Sequence, residues 1–338
     1  MMADDPEISV IIIAHNRKAF ILDAIESAKN QSIHKELYEV IIVKNYHDFD
    51  IDKRIEQKGF KNIYTNAENL GEKCAIGIEA SKGEIISFLE DDDLFSLRKL
   101  EKVRDVFKNR RTVYYHNDHI LIDGKGNKLN RKMFRKSLLI GPVEIDSGEY
   151  KNIRRLLKEG AFFNLSSISV RKDIITPKLQ YLKKLNVAAD NLMFYTALSS
   201  GGLLYIDNEE LTMYRVHSMN DSMALGLDNG SIISSASSFL ERDIYGYQVI
   251  LSSVAEPFLI DVLSCRILAP EINLRIISNK RNERTRYSFV TGFKCVLKLR
   301  YRELLILIAV DLISRLFPGF GPKVYSFYQK YRYSHLLR

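Results

Sequence analysis

Short apolar runs alternate with helical patterns over the first 120 residues. The runs rich in Ile and Val, which predict buried strands, cover residues 8–14, 40–43, 63–65 and 85–89. Apolar residues recur at helical spacing over 20–28 and 74–80, between those runs. Strands that alternate with helices in this way predict an α/β fold, Rossmann-like, with a mostly parallel sheet flanked by helices.

The pattern becomes less regular after residue 113. Residues 123–127 indicate a hairpin turn, and a helix over 190–200 is expected to stop at Gly201 and Gly202, before one more strand at 203–206. Residues 221–238 are rich in Ser and Gly and predict a mobile loop or linker, after which the pattern is helical. We therefore expect an α/β domain over residues 1–222 and a mostly helical region over 223–338.

Polar residues follow each predicted strand of the first domain. They occupy positions 14–17, 44–46, 67–73 and 90–93. In an open α/β sheet the carboxyl ends of the strands line the crevice in which ligands bind. These four segments are therefore the candidates for a ligand site.

Four consecutive acids, Glu90, Asp91, Asp92 and Asp93, follow directly on the fourth predicted strand. Carboxylates this close repel one another, and a divalent cation relieves that repulsion. Oxygen ligands suit Mg²⁺ or Mn²⁺, and Mg²⁺ is usually held by one or two carboxylates together with substrate phosphates. The alternative is a solvated loop that caps the following helix, although a cap needs only one Asp.

The net charge of +8 is concentrated near the carboxyl end of the sequence. Residues 280–338 hold 13 Lys or Arg and three acids, a balance of +10, so residues 1–279 carry about −2. The composition is otherwise that of a globular protein, with 46% apolar and 27% charged residues, which excludes a wholly disordered chain and a polytopic membrane protein. The basicity thus belongs to one surface and not to the whole fold.

The three cysteines, Cys74, Cys265 and Cys295, are scattered and form no CxxC pair. Their number and spacing predict neither a disulfide framework nor a zinc site, and favour a reducing compartment. The first seven residues include acids and meet a predicted strand at once, so we expect no secretory leader and a cytoplasmic protein.

Several motifs, in order along the chain, resemble those of the family 2 glycosyltransferases of GT-A fold. Residues 8–17, ISVIIIAHNR, with the helix and the Asn30-Gln31 pair that follow, are similar to the opening segment of the family, whose usual form is VIIPTYNR and then NQ. Residues 69–71, 81–86 and 89–93 resemble its next motifs, and 214–222 resemble its YRxHxxNxS ending. The resemblance spans roughly residues 8–220 and implies an inverting, nucleotide-sugar-dependent enzyme that uses Mg²⁺ or Mn²⁺.

The resemblance also implies roles for individual residues. Glu90 takes the place of the first Asp of the acidic motif and Asp92 that of its metal-binding acid, although a register one residue later would use Asp91 and Asp93. Asn45 stands where the family usually has an Asp that holds the nucleotide base, which leaves the base open. The implied nucleotide-sugar contacts are Ala14, Asn16, Arg17, Asn45, Lys73, Glu90, Asp91 and Arg215, and the implied metal contacts are Asp92, Asp93 and His217.

Asp190 matches the catalytic base of the family. The usual sequence there is Glu-Asp, whereas this chain has Ala189-Asp190, so Asp190 would act alone. The alternative role is stabilisation of the positive end of its helix, and the two roles are compatible. For His217 the alternative is a packed or solvated side chain, and for Arg215 it is a pair with a surface acid.

Competing enzyme classes lack their motifs. No GxGxxG or GxxxxGK(S/T) follows a predicted strand and no GxSxG is present, which argues against dinucleotide, P-loop and hydrolase sites. The QxxRW motif of processive family members is also absent, which favours transfer of a single sugar per encounter, to a hydroxyl or lipid phosphate. The basic C-terminal region, which could bring the enzyme to a lipid-linked acceptor, favours lipid-linked or cell-surface glycan assembly. A catalytically inactive nucleotide-binding or basic-tailed binding protein is the alternative, because the Glu before Asp190 and the Asp at position 45 are missing.

Apolar and basic residues share the helical pattern of the C-terminal region. Residues 293–317 place apolar side chains along one face, with four basic residues near their start. The longest unbroken apolar run, 304–310, is much shorter than the roughly 20 residues of a membrane span, so we expect no crossing. We expect peripheral association with an anionic membrane surface, on the cytoplasmic face. Packing of the helix as core is the alternative, and nucleic acid is a less favoured partner for the aromatic and basic residues over 323–333.

Overall fold

The computed structural model describes residues 5–129, 142–149, 152, 155–157, 160–217, 228–278, 292, 295–297, 302–317 and 319–333. It divides into two compact units, Met1–Arg215 and Val216–Arg338. The first unit contains the sheet and the second is helical, which confirms the expected α/β architecture with a helical C-terminal region. The domain boundary predicted after residue 222 lies outside the described residues.

Nine strands of the described residues form one sheet. They are β1 (Ile8–Ala14), β2 (Tyr38–Lys44), β3 (Lys61–Tyr64), β4 (Ile85–Glu90), β5 (Leu94–Phe95), β6 (Thr112–Ile122), β7 (Val143–Asp146), β8 (Ile168–Arg171) and β9 (Leu203–Arg215). Their order is β3-β2-β1-β4-β8-β6-β9-β5, and β7 also pairs with β9.

The sheet is parallel in its first half and mixed in its second. β1 pairs in parallel with β2 and β4, and β2 pairs in parallel with β3. Because β1 lies inside the sheet and is covered on both faces, all seven of its residues are buried, which explains its unbroken apolar run around Ser9. β8 runs antiparallel to β4 and β6, β6 is parallel to β9, and β5 and β7 are antiparallel to β9.

The helices of the first unit include those predicted over 20–28, 74–80 and 190–200, and they bury apolar faces against the sheet. They are α1 (Ile21–Lys29), α2 (Phe49–Gln57), α3 (Leu70–Ala80), α4 (Lys99–Phe107), α5 (Lys172–Ile175), α6 (Leu179–Leu182) and α7 (Ala189–Leu198). Ile21 and Ile25 of α1, with Leu100 and Val103 of α4, join β1 and β2 in one core. Leu97, in contrast, is 62% exposed because it precedes the first residue of α4.

The second unit is built from α8 (Asn229–Leu251), α9 (Pro257–Ser278), α10 (Arg302–Leu316) and α11 (Phe320–Tyr333). The linker predicted over 221–238 is therefore wrong from residue 229 onward. Asp228 caps α8, since its carboxylate accepts a hydrogen bond from Ser231 N at 2.8 Å. Ile232 is buried, so packing outweighs the low helix propensity of the Ser-rich start.

A disulfide joins Cys265 of α9 to Cys295, with 5.4 Å between their Cα atoms. The sequence predicts no disulfide framework, and the structure differs for this one pair because folding brings together two cysteines that are 30 residues apart in sequence. Cys74 is free and buried in α3.

Among the described helices, none combines the length and the apolar character that crossing a bilayer requires.

Candidate functional site

The parallel register brings the carboxyl ends of three strands to one edge of the sheet. Ala14 at the end of β1 lies opposite Lys44 of β2, and Ile13 lies opposite Glu90 of β4. The segments that follow these strands therefore meet, as the sequence predicts. They place Arg17, Asn45 and the acidic run 90–93 in one cluster.

Arg17 bridges two carboxylates of the acidic run. Its Nη2 lies 2.6 Å from Asp91 Oδ1 and its Nη1 lies 2.8 Å from Asp92 Oδ2. Although burial opposes the charged form, the charges of Asp91, Asp92 and Glu90 raise the pKa of Arg17. Arg17 is thus a permanently charged group at the centre of the predicted site, and it already engages the acid implied to bind metal.

The acidic run is buried, which makes its negative charge costly. Asp91, Asp92 and Asp93 are all buried. Burial, and then the charges of Asp92 and Asp93, raise the pKa of Glu90 well above its usual range. Burial and the charge of Asp92 likewise raise the pKa of Asp93 to about 8. Carboxylates this strongly opposed to ionisation form a site that favours a cation.

The oxygen atoms of the acidic run fit a hard divalent cation by their chemistry. Asp93 Oδ2 is buried and has no hydrogen-bond partner among the described residues, whereas Asp92 Oδ2 is held by Arg17. Over the same part of the chain, no group of three or more His, Cys, Asp and Glu side chains is arranged to hold a metal ion. The carboxylates of the acidic run therefore offer oxygen ligands from a single loop. A bound cation would need further ligands from groups outside that loop.

Arg215 anchors the acidic loop from the end of β9. Its backbone N–H donates to Asp93 Oδ1 at 2.9 Å, and its Nε donates to the Asp92 carbonyl at 2.8 Å. Its Nη2 donates to Asp23 at 3.0 Å, and the guanidinium lies over the Phe20 ring, 4.5 Å from the centroid. Arg215 is only 2% exposed. These contacts fix the loop, and the implied contact with the nucleotide stays a prediction.

Ser166 and Asn164 support the acidic run from a segment in which the sequence shows no motif. The backbone N–H of Glu90 donates to Ser166 Oγ at 3.0 Å. Asn164 has a φ of 68°, a left-handed conformation that Asn tolerates, and its Oδ1 accepts from Ser166 N at 2.9 Å. The only signal in the sequence is Asn two residues before Ser, the pattern of a common local turn.

The segment after β1 meets Asn45 after β2. The Asn16 backbone N–H donates to Asn45 Oδ1 at 3.0 Å, and Asn16 has a φ of 52°. Asn45 Nδ2 lies 3.4 Å from His15 Nδ1 and 3.5 Å from Glu68 Oε1. The implied base contact is therefore next to the strand ends. His15 and Glu68 were not singled out from the sequence, although both lie in the segments that follow strands.

Lys73 is a buried cation at the same edge of the sheet. It lies in the first turns of α3 and its Nζ contacts His15 Nδ1. Burial lowers the pKa of Lys73 to about 8, while the charges of Glu68 and Asp91 oppose that shift. The backbone N–H of His15 in turn donates to Asp91 Oδ2 at 3.2 Å. The structure thus connects Lys73 to the acidic run through His15.

Asp190 is the second residue of α7, which follows Ala188 in a left-handed conformation with a φ of 66°. Its Oδ1 accepts a hydrogen bond from the Asn191 backbone N–H at 2.8 Å. The charge of Asp190 contributes to the raised pKa of Glu90. Asp190 therefore lies within electrostatic range of the acidic run, although the two are 100 residues apart in sequence.

Gly71 packs the start of α3 against the segment that precedes Asp190. Its N–H donates to the Leu185 carbonyl at 2.8 Å. A Cβ at this position would lie 1.9 Å from the Leu182 carbonyl oxygen, which no side chain can tolerate. The Asn-Leu-Gly motif thus serves a close approach of two backbones.

His217 belongs to the second unit and is half-buried. Its implied contact with metal or phosphate stays a prediction. The rest of the YRxHxxNxS match, residues 218–222, lies outside the described residues.

Residues 9–176 match the model of the family described as glycosyl transferase family 2. An uncharacterized glycosyltransferase of Rickettsia bellii is 33% identical over 129 residues, which are 37% of this chain and 18% of that protein. The minor teichoic acid biosynthesis protein GgaA of Bacillus subtilis is 25% identical over 226 residues, 60% of this chain and 47% of that protein. The chain therefore spans between about a fifth and a half of the length of these two relatives.

Two solved structures have the same fold over most of the chain. A crystal structure of S. aureus TarS in complex with UDP-GlcNAc has a TM-score of 0.57 at 14% identity, covering 96% of this chain and 92% of that one. The mannosyltransferase PcManGT of Pyrobaculum calidifontis, in complex with GDP-Man and Mn²⁺, has a TM-score of 0.55 at 11% identity, covering 93% and 88%. These likenesses confirm the expected GT-A fold.

Proposed function

Because the chain belongs to glycosyl transferase family 2, we propose that it transfers a single sugar from a nucleoside diphosphate to a hydroxyl or lipid-phosphate acceptor, with inversion at the anomeric carbon. The observation that carries the proposal is that Asp190 lies close enough to the acidic run for its charge to contribute to the raised pKa of Glu90. A carboxylate on one element and an acidic run on another supply the two things that the reaction needs, a base and a site for the diphosphate.

Asp190 is the general base of this proposal. It accepts the proton of the acceptor as the acceptor oxygen attacks the anomeric carbon and the bond from that carbon to the diphosphate breaks on the opposite face. A single displacement of this kind inverts the configuration. The position of Asp190 in the first turn of α7 supports its ionised form, because the helix N-terminus is positive.

The donor diphosphate is proposed to lie against Arg17, Lys73 and the acidic run. Asp92 and Asp93 would hold Mg²⁺ or Mn²⁺, which when bound neutralises the negative charge that develops on the leaving diphosphate. Arg17 and Lys73 orient the same group from the ends of β1 and α3. Asn45 holds the nucleotide base through its amide.

The acceptor is proposed to belong to a lipid-linked or cell-surface glycan. The name of GgaA, a minor teichoic acid biosynthesis protein, supports this class. The charge balance of +10 over residues 280–338 supports peripheral attachment to an anionic membrane, on the cytoplasmic face, where a lipid-linked acceptor is at hand.

The test compares Asp190→Asn with Asp173→Asn. Asp173 is a matched control, because it is an exposed Asp in the first turn of α5. Release of UDP or GDP from sugar donors with Mn²⁺ measures turnover, and calorimetry measures donor binding. We expect Asp190→Asn to lose turnover by at least about 10²-fold with binding retained, and Asp173→Asn to behave as wild type. Full turnover by Asp190→Asn at saturating donor would refute the base assignment, and no nucleotide binding by the wild type would favour an inactive binding protein.

A further inference from the structure

The outward face of α10 carries a row of exposed apolar side chains. Six of its exposed positions, Leu305, Ile306, Ala309, Leu312, Ile313 and Leu316, form what we call the apolar stripe, and Arg315 is exposed beside it. Leu316 is 74% exposed and Ile306 is 65% exposed. An ordinary surface helix has its apolar residues inward and polar residues outward, so α10 has an unusual arrangement.

The inward face of α10 is already packed. Leu304 is buried in the core of the second unit, and Leu307 and Ile308 pack against that core. Asp311 is buried on the same side, where Arg275 Nε donates to its Oδ1 at 2.6 Å and Arg315 lies 3.2 Å from its Oδ2. The inward face of α10 thus has both apolar and ionic partners inside the unit. The apolar stripe is a second, outward surface of the same helix.

The apolar stripe is continuous along the helix. At 3.6 residues per turn its six side chains occupy an arc of about 120°, and at 1.5 Å per residue they extend for roughly 16 Å. Phe317 and Phe320, both exposed, follow at its carboxyl end. Between Leu305 and Leu316 no charged residue falls within this arc, and a face of this width and length has the geometry of a helix that lies in a membrane interface.

We infer that the apolar stripe is the surface through which the protein docks on an anionic lipid bilayer, with α10 lying in the plane of the interface. The inference rests on the proposed peripheral location and names the side chains responsible for it. Charge complementarity decides the occupant. A second copy of the chain would bring two regions of +10 together, whereas an anionic leaflet has the opposite sign.

Fluorescence gives a direct test, because the chain contains no Trp. Leu312→Trp places a single reporter on the apolar stripe, and Tyr245→Trp places a matched one on α8, at a side chain that is 48% exposed in the same unit. Vesicles of equal parts phosphatidylcholine and phosphatidylglycerol are the probe, with brominated acyl chains as quenchers. We expect a blue shift and quenching for Leu312→Trp and neither for Tyr245→Trp. Equal responses of the two reporters would overturn the inference.

A second pair of variants measures the contribution of the apolar stripe to binding. Leu312→Asp should weaken vesicle partitioning by about tenfold or more, since it replaces a leucine-sized apolar contact by a charge, whereas Leu312→Met should partition as wild type. Circular dichroism shows whether each variant is folded. Unchanged partitioning of a folded Leu312→Asp protein would overturn the inference, as would equal binding to vesicles of phosphatidylcholine alone.

Two further readouts separate this inference from its rivals. Sedimentation without lipid would reveal a dimer. If Leu312→Asp dissociates that dimer and the wild type does not bind vesicles, the apolar stripe is a self-association surface and the inference is overturned. Calorimetry with UDP and GDP is carried out on the same variants. Nucleotide binding without vesicle binding would refute the docking surface and leave the proposed transferase activity in place. Vesicle binding without nucleotide binding would refute the proposed transferase and leave the docking surface in place.

Discussion

Arg17 Nη1 lies 2.8 Å from Asp92 Oδ2, so an arginine of the same chain holds the carboxylate that the family resemblance implies as a metal ligand. In this arrangement Arg17 is the counter-ion of the acidic run. A divalent cation that approaches Asp92 therefore competes with a guanidinium that is already in place.

Replacement of Arg17 should change the response to metal in a defined direction. We expect Arg17→Gln to lower the Tm of the metal-free protein, because two buried carboxylates lose their cation, and to increase the rise in Tm caused by Mn²⁺. Differential scanning fluorimetry with and without MnCl₂ measures both. Arg98→Gln is the control, since Arg98 is an exposed arginine that pairs with Glu101. A smaller Mn²⁺ response in Arg17→Gln would mean that Arg17 assists metal binding instead of competing with it.

Donor binding should weaken as the pH rises through about 8. Burial lowers the pKa of Lys73 to about 8, so its positive charge, present below that pH, is lost above it. Calorimetry with UDP across this pH range measures the effect. Lys73→Arg should remove the dependence, because arginine stays charged throughout. If Lys73→Arg has the same pH profile as the wild type, the titrating group lies elsewhere.

The free energy of unfolding should increase with pH between about 7 and 10.5 because of Lys99. This lysine of α4 is buried, and burial lowers its pKa to about 7 from 10.5. The unfolded chain then binds the extra proton over that range, so deprotonation at higher pH favours the folded state. Urea unfolding near pH 7 and pH 9 measures the slope.

Lys99→Met should flatten the slope, and Lys108→Met, at an exposed lysine paired with Asp105, should leave it unchanged. Equal slopes in all three proteins would show that the charge state of Lys99 does not change on unfolding.

Arg215→Met should destabilise the protein by about 3 kcal/mol, since it leaves the Asp92 and Gly124 carbonyls without their donor and removes a buried charged group from its partners. Arg111→Met is the control. Arg111 pairs with Asp146 on the exposed surface, and loss of such a pair costs roughly 1 kcal/mol or less. Denaturant unfolding compares the two, and similar costs would exclude an anchoring role for Arg215.

The sequence predicts both ends of β1 correctly. All seven residues of this strand are buried and only Ser9 among them is polar, so the apolar run marks where the strand begins and ends. The sequence predicts the position of the acidic run for the same reason, since it follows a run of buried residues in β4. Contacts between residues that are far apart in the sequence have no comparable pattern from which they could be predicted. Arg215 donates to Asp23, 192 residues away, and Ser166 supports Glu90 from another segment.

Two further differences between the predicted and the observed structure lie in the second unit. The Ser-rich start of α8 resembles a linker in composition, and only the burial of Ile232 and the cap at Asp228 distinguish it from one. The pairing of Cys265 with Cys295 depends on how the helices of the second unit pack, which spacing along the chain does not encode.

The contact between Gly71 and Leu185 has a consequence for recombination among relatives. Since the backbones at these positions touch with no space for a side chain, residues 69–73 and 182–190 behave as one block that contains both Lys73 and Asp190. A chimera that exchanges only one of the two segments would pack a segment of one protein against the partner segment of another, and the two surfaces would not be complementary. A donor specificity transplanted between family members should therefore succeed when both segments are moved together.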